Sequence, residues 1–103
     1  MRITVNLADN HVTLLGPAAF TGFDLLADPI DADEASIATA LGSVGSAAGD
    51  DHVWIAVDAV RRLAGDHATA DWEDGFAKML AYAATKGWTN DDSSMIKAHI
   101  VRS

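Results

Sequence analysis

His52-Val53-Trp54-Ile55-Ala56-Val57 is the stretch on which the fold turns. Successive side chains of a strand point to opposite faces, so Val53, Ile55 and Val57 share one side. His52 and Trp54 share the other. Such a segment reads as a buried strand that turns an aliphatic row to a core and an indole to whatever lies behind the sheet.

The same alternation recurs outward from this strand. Ile3, Val5 and Leu7 alternate with Thr4 and Asn6, Asp9-Asn10 supplies turn residues, and Val12 and Leu14 resume around Thr13. Residues 2–15 therefore read as a β-hairpin. Near the other end Ile96, Ala98 and Ile100 alternate with Lys97 and His99. Helical spacing fills the remainder. Asp31 with Glu34 has the spacing of a capping box, and Ile37, Leu41, Val44 and Ala48 follow it up to Gly49. Asp58 is placed to cap a short helix that Gly65 stops. Trp72, Phe76, Met79, Leu80 and Ala83 form one apolar stripe, which predicts the longest helix from Ala70 or Asp71 to a glycine cap at Lys86-Gly87-Trp88. The stretch from Gly16 to Pro29 is apolar without a period and reads as a helical turn or packed loop. The predicted order is β-β-α-β-α-α-β. It implies a single α+β domain over residues 1–103, with an about four-stranded, mostly antiparallel sheet (the N-terminal hairpin plus two later strands) and helices packed on one face.

Composition bounds the function classes. With 103 residues there is room for one core, and a thin one: 20 residues are alanine, and Ile, Leu, Val and Phe number 24. Net charge is −8, and the seven basic residues are scattered, so no basic patch for nucleic acid or an anionic membrane surface is readable. That field would suit a basic partner. The absence of cysteine removes disulfides, thiolate nucleophiles and Cys-ligated metals, and fits a cytoplasmic chain. Asp9 arrives too early for a signal-peptide apolar core, and the longest uncharged run, 35–49, is too short and polar to span a bilayer. Thirteen Asp against two Glu, with abundant Ala and Gly, suggests a GC-rich bacterial genome.

Register makes a prediction that composition cannot. If the aliphatic rows face the helices, then Arg2, Thr4, Asn6, His11, Thr13, His52, Trp54, Lys97 and His99 share the reverse of the sheet. An exposed Trp forfeits burial worth a few kcal/mol, so something should cover Trp54. The candidates are the chain's own 17–29 segment, a second subunit or a ligand. The leading expectation is a non-catalytic protein-interaction domain that self-associates as a homodimer through this face, or binds another, basic protein. The binding residues would be His11, His52, Trp54, Lys97 and His99. The alternative is a small-molecule-binding protein or acid–base enzyme using His52 and His99 beside Trp54, since imidazoles ordinarily titrate near neutrality.

No catalytic motif is complete. His52, His99 and Asp50 or Asp51 could meet, but no short-range metal-ligand pair occurs, and no metal or cofactor is expected. Ser43 and Ser46 miss the nucleophile-elbow register, and Gly42, Gly45 and Gly49 do not open a helix as a phosphate loop requires. His52 with Asp58, or His99 with Asp51, would have to be neighbours in space to act as a general base.

Overall fold

In a computed structural model that describes residues 1–102, β1 (Arg2–Asn6) and β2 (His11–Leu15) form the expected antiparallel hairpin, with Thr4 opposite Thr13 and Asn6 opposite His11. Its turn is held by side chains. The Asn6 Oδ1 accepts from the Ala8 N–H at 2.9 Å, the Asp9 carboxylate accepts from the His11 N–H at 3.0 Å, and Asn10 takes a φ of 57°.

The 16–29 stretch departs from the expected turn or loop. Part of it is β3 (Asp24–Asp28), which runs parallel to β1 with Leu25 opposite Ile3 and Ala27 opposite Val5. Leu25 and Ala27 are buried, while Leu26 points the other way. A strand in the middle of a sheet can be apolar on both sides, and this erases the polar alternation by which a strand is recognised.

The next helix is shorter than its spacing predicts. α1 (Glu34–Leu41) is capped by Asp33 instead of Asp31, its carboxylate accepting from the Ser36 N–H at 2.7 Å. Hydrogen bonding to Ser36 holds the Asp33 carboxyl below the usual carboxylate range. Glu34 does not close a capping box. It accepts from the backbone N–H groups of Gly49 and Asp51, both at 3.1 Å. The helix ends at Gly42 (φ 58°), a 3-10 turn spans 42–44, and β4 (Gly45–Gly49) then pairs antiparallel with β5 (His52–Ala56). Val44 and Ala48 thus leave the helix. Residues 45–49 have no large side chain to reveal a strand. Their turn uses Asp50 and Asp51 at φ 53° and 59°, the backbone twist that two-residue hairpins favour.

α2 (Val57–Ala64) starts where β5 stops, so Val57 is the first helical residue and not the last of the strand. It remains buried. Asp58 lies inside the first turn and pairs with Arg61 at 3.1 Å instead of capping. α3 (Ala70–Thr85) is capped by Thr69, whose hydroxyl accepts from the Trp72 N–H at 3.3 Å. At its other end the Gly87 N–H donates to Ala84 and the Trp88 N–H to Ala83, with Gly87 at φ 75°. That double return is the glycine stop that Lys86-Gly87-Trp88 predicts.

β6 (Met95–Ile100) completes a six-stranded mixed sheet in the order β2-β1-β3-β6-β5-β4. This corrects the expectation of four mostly antiparallel strands, while the α+β class stands. β1, β3 and β6 run parallel and form the middle of the sheet. Ile3, Leu25, Val53, Ile55, Ile96 and Ile100 meet Ile37 of α1, Val60 of α2 and Phe76 of α3 in one cluster. Each fully buried aliphatic or aromatic side chain there contributes roughly 1.5–3 kcal/mol. Trp72 stacks on Phe76 at 4.8 Å and donates its indole N–H to the Pro17 carbonyl at 2.7 Å, and Phe20 lies 6.3 Å from its ring. These contacts draw the 17–23 segment to the helical side.

Candidate functional site

The helices' buried faces join one core with the inward sheet residues, so no described helix covers the reverse of the sheet, whose residues are half-buried or exposed. Across it run two rows set by strand pairing. One reads Leu15, Arg2, Asp24, His99, His52, and the other places Lys97 opposite Trp54 and Trp54 opposite Ser46. Thr4 and Thr13, hydroxyl to hydroxyl, continue the face on the hairpin. The 17–29 segment does not cover Trp54, since Trp72 and the core hold its first part and β3 takes the rest.

His52 and His99 are brought together. They are directly paired across β5 and β6, and their rings meet edge to face with centroids 5.0 Å apart. His52 Nδ1 lies 2.7 Å from the Asp50 carbonyl. A carbonyl can only accept, so Nδ1 carries the proton and Nε2 of a neutral His52 is left as an acceptor. Lys97 rests its ammonium 5.1 Å from the centre of the Trp54 ring, a cation–π contact that partly shields the half-buried indole.

His11 stands apart. It is on β2, four strands from β5 in the sheet order, which at ordinary strand spacing is about 19 Å. There it lines a shallow hollow with Asn6, Leu26 and Asp28. The candidate carboxylates are likewise elsewhere. Asp58 is bound to Arg61, and Asp51 to Arg102 at 3.1 Å. Among the described residues no group of three or more His, Asp or Glu is placed to hold a metal ion.

The acid that does stand beside an imidazole is Asp24, opposite His99. Sequence reasoning misses it because β3 is missed. Its carboxylate is gripped by Arg2 through two hydrogen bonds of 2.7 and 3.0 Å. The Arg2 hydrogen bond is the chief reason that the Asp24 carboxyl is held below its usual range, with smaller help from the charges of Arg2, the N-terminus and His99. Committed to the guanidinium, Asp24 is poorly placed to serve as a base.

β6 also has an irregular edge. Its later half pairs with β3, at His99 and Ile100. Its earlier half is covered by the chain leaving α3, with Ile96 bridged to Thr89 and the Lys97 N–H donating to Trp88 at 2.7 Å. Between these two neighbours the sheet is split. A cleft of about 260 Å³ opens there, walled by Phe23, Tyr82 and Trp88 and bounded by His52, Lys97 and His99. Trp54 is not part of it, and lines a separate hollow with the 87–92 loop. Tyr82 and Trp88 are 58% and 45% exposed, large values for aromatic residues, and lie edge to face at 6.2 Å.

No protein-family model, curated protein or solved structure matches the chain. No described helix is long and apolar enough to cross a membrane.

Proposed function

We propose that this chain is a non-catalytic interaction domain that self-associates by stacking the bare sheet faces of two copies, with Trp54 in the contact. One observation carries the proposal: the middle of the sheet is parallel, yet only one of its faces bears helices. Parallel strands are ordinarily covered on both faces, whereas antiparallel sheets tolerate water on one. A second sheet about 10 Å away would supply the missing layer.

Charge favours a second copy as that layer. The whole chain carries −8, but on the bare face Arg2 and Lys97 balance Asp24 and Asp28. This face is where two acidic molecules can approach without net repulsion. A basic partner protein is less well served by it for the same reason. Leu15, Leu26 and Trp54 would provide the apolar contact. Six short strands give a contact burying on the order of 1,000 Å² in total, the lower limit for a specific interface. An interface of that size suits a weak, reversible dimer, for which we take the micromolar range as the one to test.

Sedimentation velocity of the wild type and of Trp54→Ser over about 1 to 500 μM checks this. The expected result is a wild type that moves from monomer to dimer across that range and a variant that stays monomeric. A wild type that is monomeric throughout, or a variant that dimerises equally well, defeats the proposal.

A further inference from the structure

We infer that the cleft at the split edge of β6 binds a small planar aromatic anion, such as an aromatic carboxylate. This reading does not rest on self-association, because the cleft is built from the end of α3, the segment just before β3 and the edge of β6. Shape comes first. Phe23, Tyr82 and Trp88 present three rings to one space, with apolar Ala83 and Ile96 behind them. Flat apolar walls with a few polar groups at one end are the ordinary make-up of a small-ligand site, and 260 Å³ suits one or two fused rings. The two most exposed aromatic side chains among the described residues are both in these walls, so the site forfeits burial that a ligand would restore.

Charge selects the ligand's polar end. The chain carries 15 acidic residues, but none lines this cleft, while Lys97, His52 and His99 do. The nearby carboxylate is Asp24, and Arg2 neutralises it at 2.7 Å. Lys97 supplies a fixed positive charge and His99 a ring N–H donor, which together suit a carboxylate, whereas the His52 N–H is already given to the Asp50 carbonyl. The same groups disfavour an ammonium ligand, although aromatic walls alone would welcome one.

Three probes of one shape separate these contributions: indole-3-acetate, neutral indole and cationic tryptamine, each titrated into the ¹⁵N-labelled full chain by NMR. For a ligand of about a dozen heavy atoms, a dissociation constant near 1 mM is expected for indole-3-acetate. The amide signals of Phe23, Trp88, Lys97 and His99 should move together and saturate. Indole should bind about fivefold more weakly and tryptamine at least tenfold more weakly. Tyr82→Ala, at an exposed helical position, should weaken all three. His99→Gln should weaken only indole-3-acetate. Both variants are checked for a native amide spectrum, and each tests a different wall should the other misfold. Failure of indole-3-acetate to saturate by about 20 mM, equal affinity for the three probes, or wild-type affinity in both variants would overturn the inference.

Discussion

Replacing Gly45 by alanine gives opposite results for the two ways of reading residues 42–49. If the spacing of Leu41, Val44 and Ala48 meant a continuous helix, Gly45→Ala would stabilise the protein by about 1 kcal/mol. In β4 the substitution meets the neighbouring strand. A Cβ at Gly45 would lie 2.2 Å from the Trp54 carbonyl oxygen, 3.1 Å from Ile55 Cδ1 and 3.3 Å from Leu41 Cδ1. The two methyl groups can yield by a few tenths of an ångström. The carbonyl cannot, because it belongs to the backbone of β5, which is paired on both sides. The backbone at Gly45 is extended (φ −168°), so the cost is one of space alone. Relief requires β4 to move away from β5 by about 1 Å, stretching their hydrogen bonds. Overpacking of this kind costs about 1–3 kcal/mol, and the greater strand preference of alanine returns about 0.5–1 kcal/mol. The net loss, between about 0 and 2.5 kcal/mol and centred near 1, should lower the urea midpoint by roughly 0.5–1 M and the melting temperature by about 4–8 °C. Both are measured at one protein concentration, since association would shift them. Ser46→Ala, at an exposed position of β4, should change stability by no more than about 0.5 kcal/mol. A Gly45→Ala midpoint at or above that of the wild type would refute the strand and the close approach together.

Two further perturbations follow from the contacts described. Asp24→Asn removes the partner of Arg2, and the pair is about one-third exposed, so the loss at pH 7 should be at most about 1 kcal/mol. The native-state pKa of Asp24 lies below its ordinary value, so the carboxylate stabilises the fold at neutral pH, and that share fades as pH falls from about 5 through the native value. Wild type and variant melting temperatures should therefore converge toward acid pH, and a gap that widens there contradicts the assignment. Trp72→Phe keeps the stacking on Phe76 but loses the indole N–H bond to Pro17. It should cost about 1–3 kcal/mol by urea titration, combining the orphaned carbonyl with lost volume. A cost near zero would mean that this hydrogen bond does not hold the 17–23 segment.

What could be read from the sequence was whatever large side chains mark at strict spacing. Trp72, Phe76, Met79 and Ala83 announce α3, and Lys86-Gly87-Trp88 announces its stop. Val53 and Ile55 announce β5, and the first hairpin is plain because polar and apolar residues alternate in it. β3 was hidden because Leu25 and Leu26 are apolar on both sides, as a central parallel strand permits. β4 was hidden because glycine and alanine carry no periodic signal, and the preceding helix lends them its own. For the site, pairing placed His52, His99, Lys97 and Trp54 on one surface, as alternation requires. Alternation carries no information on strand order, however, so the distance of His11 from the other two histidines could not be foreseen. Nor could the cleft, because Tyr82 and Trp88 reach it through the ending of a helix and Phe23 through the segment that leads into the unread strand.

The exit from α3 serves two structures at once. Gly87 and Trp88 terminate the helix, and the Trp88 carbonyl and Thr89 also seal the first half of an interior strand that β3 reaches too late to cover. Helix length and sheet closure are thereby geared to each other. An added residue between 85 and 90 would either rotate the aromatic wall out of place or unseat the seal on Lys97. The same insertion three or four positions later, at Asp91 or Asp92, would only enlarge an exposed turn. Evolutionary drift in loop length should therefore be confined to the second half of that connection.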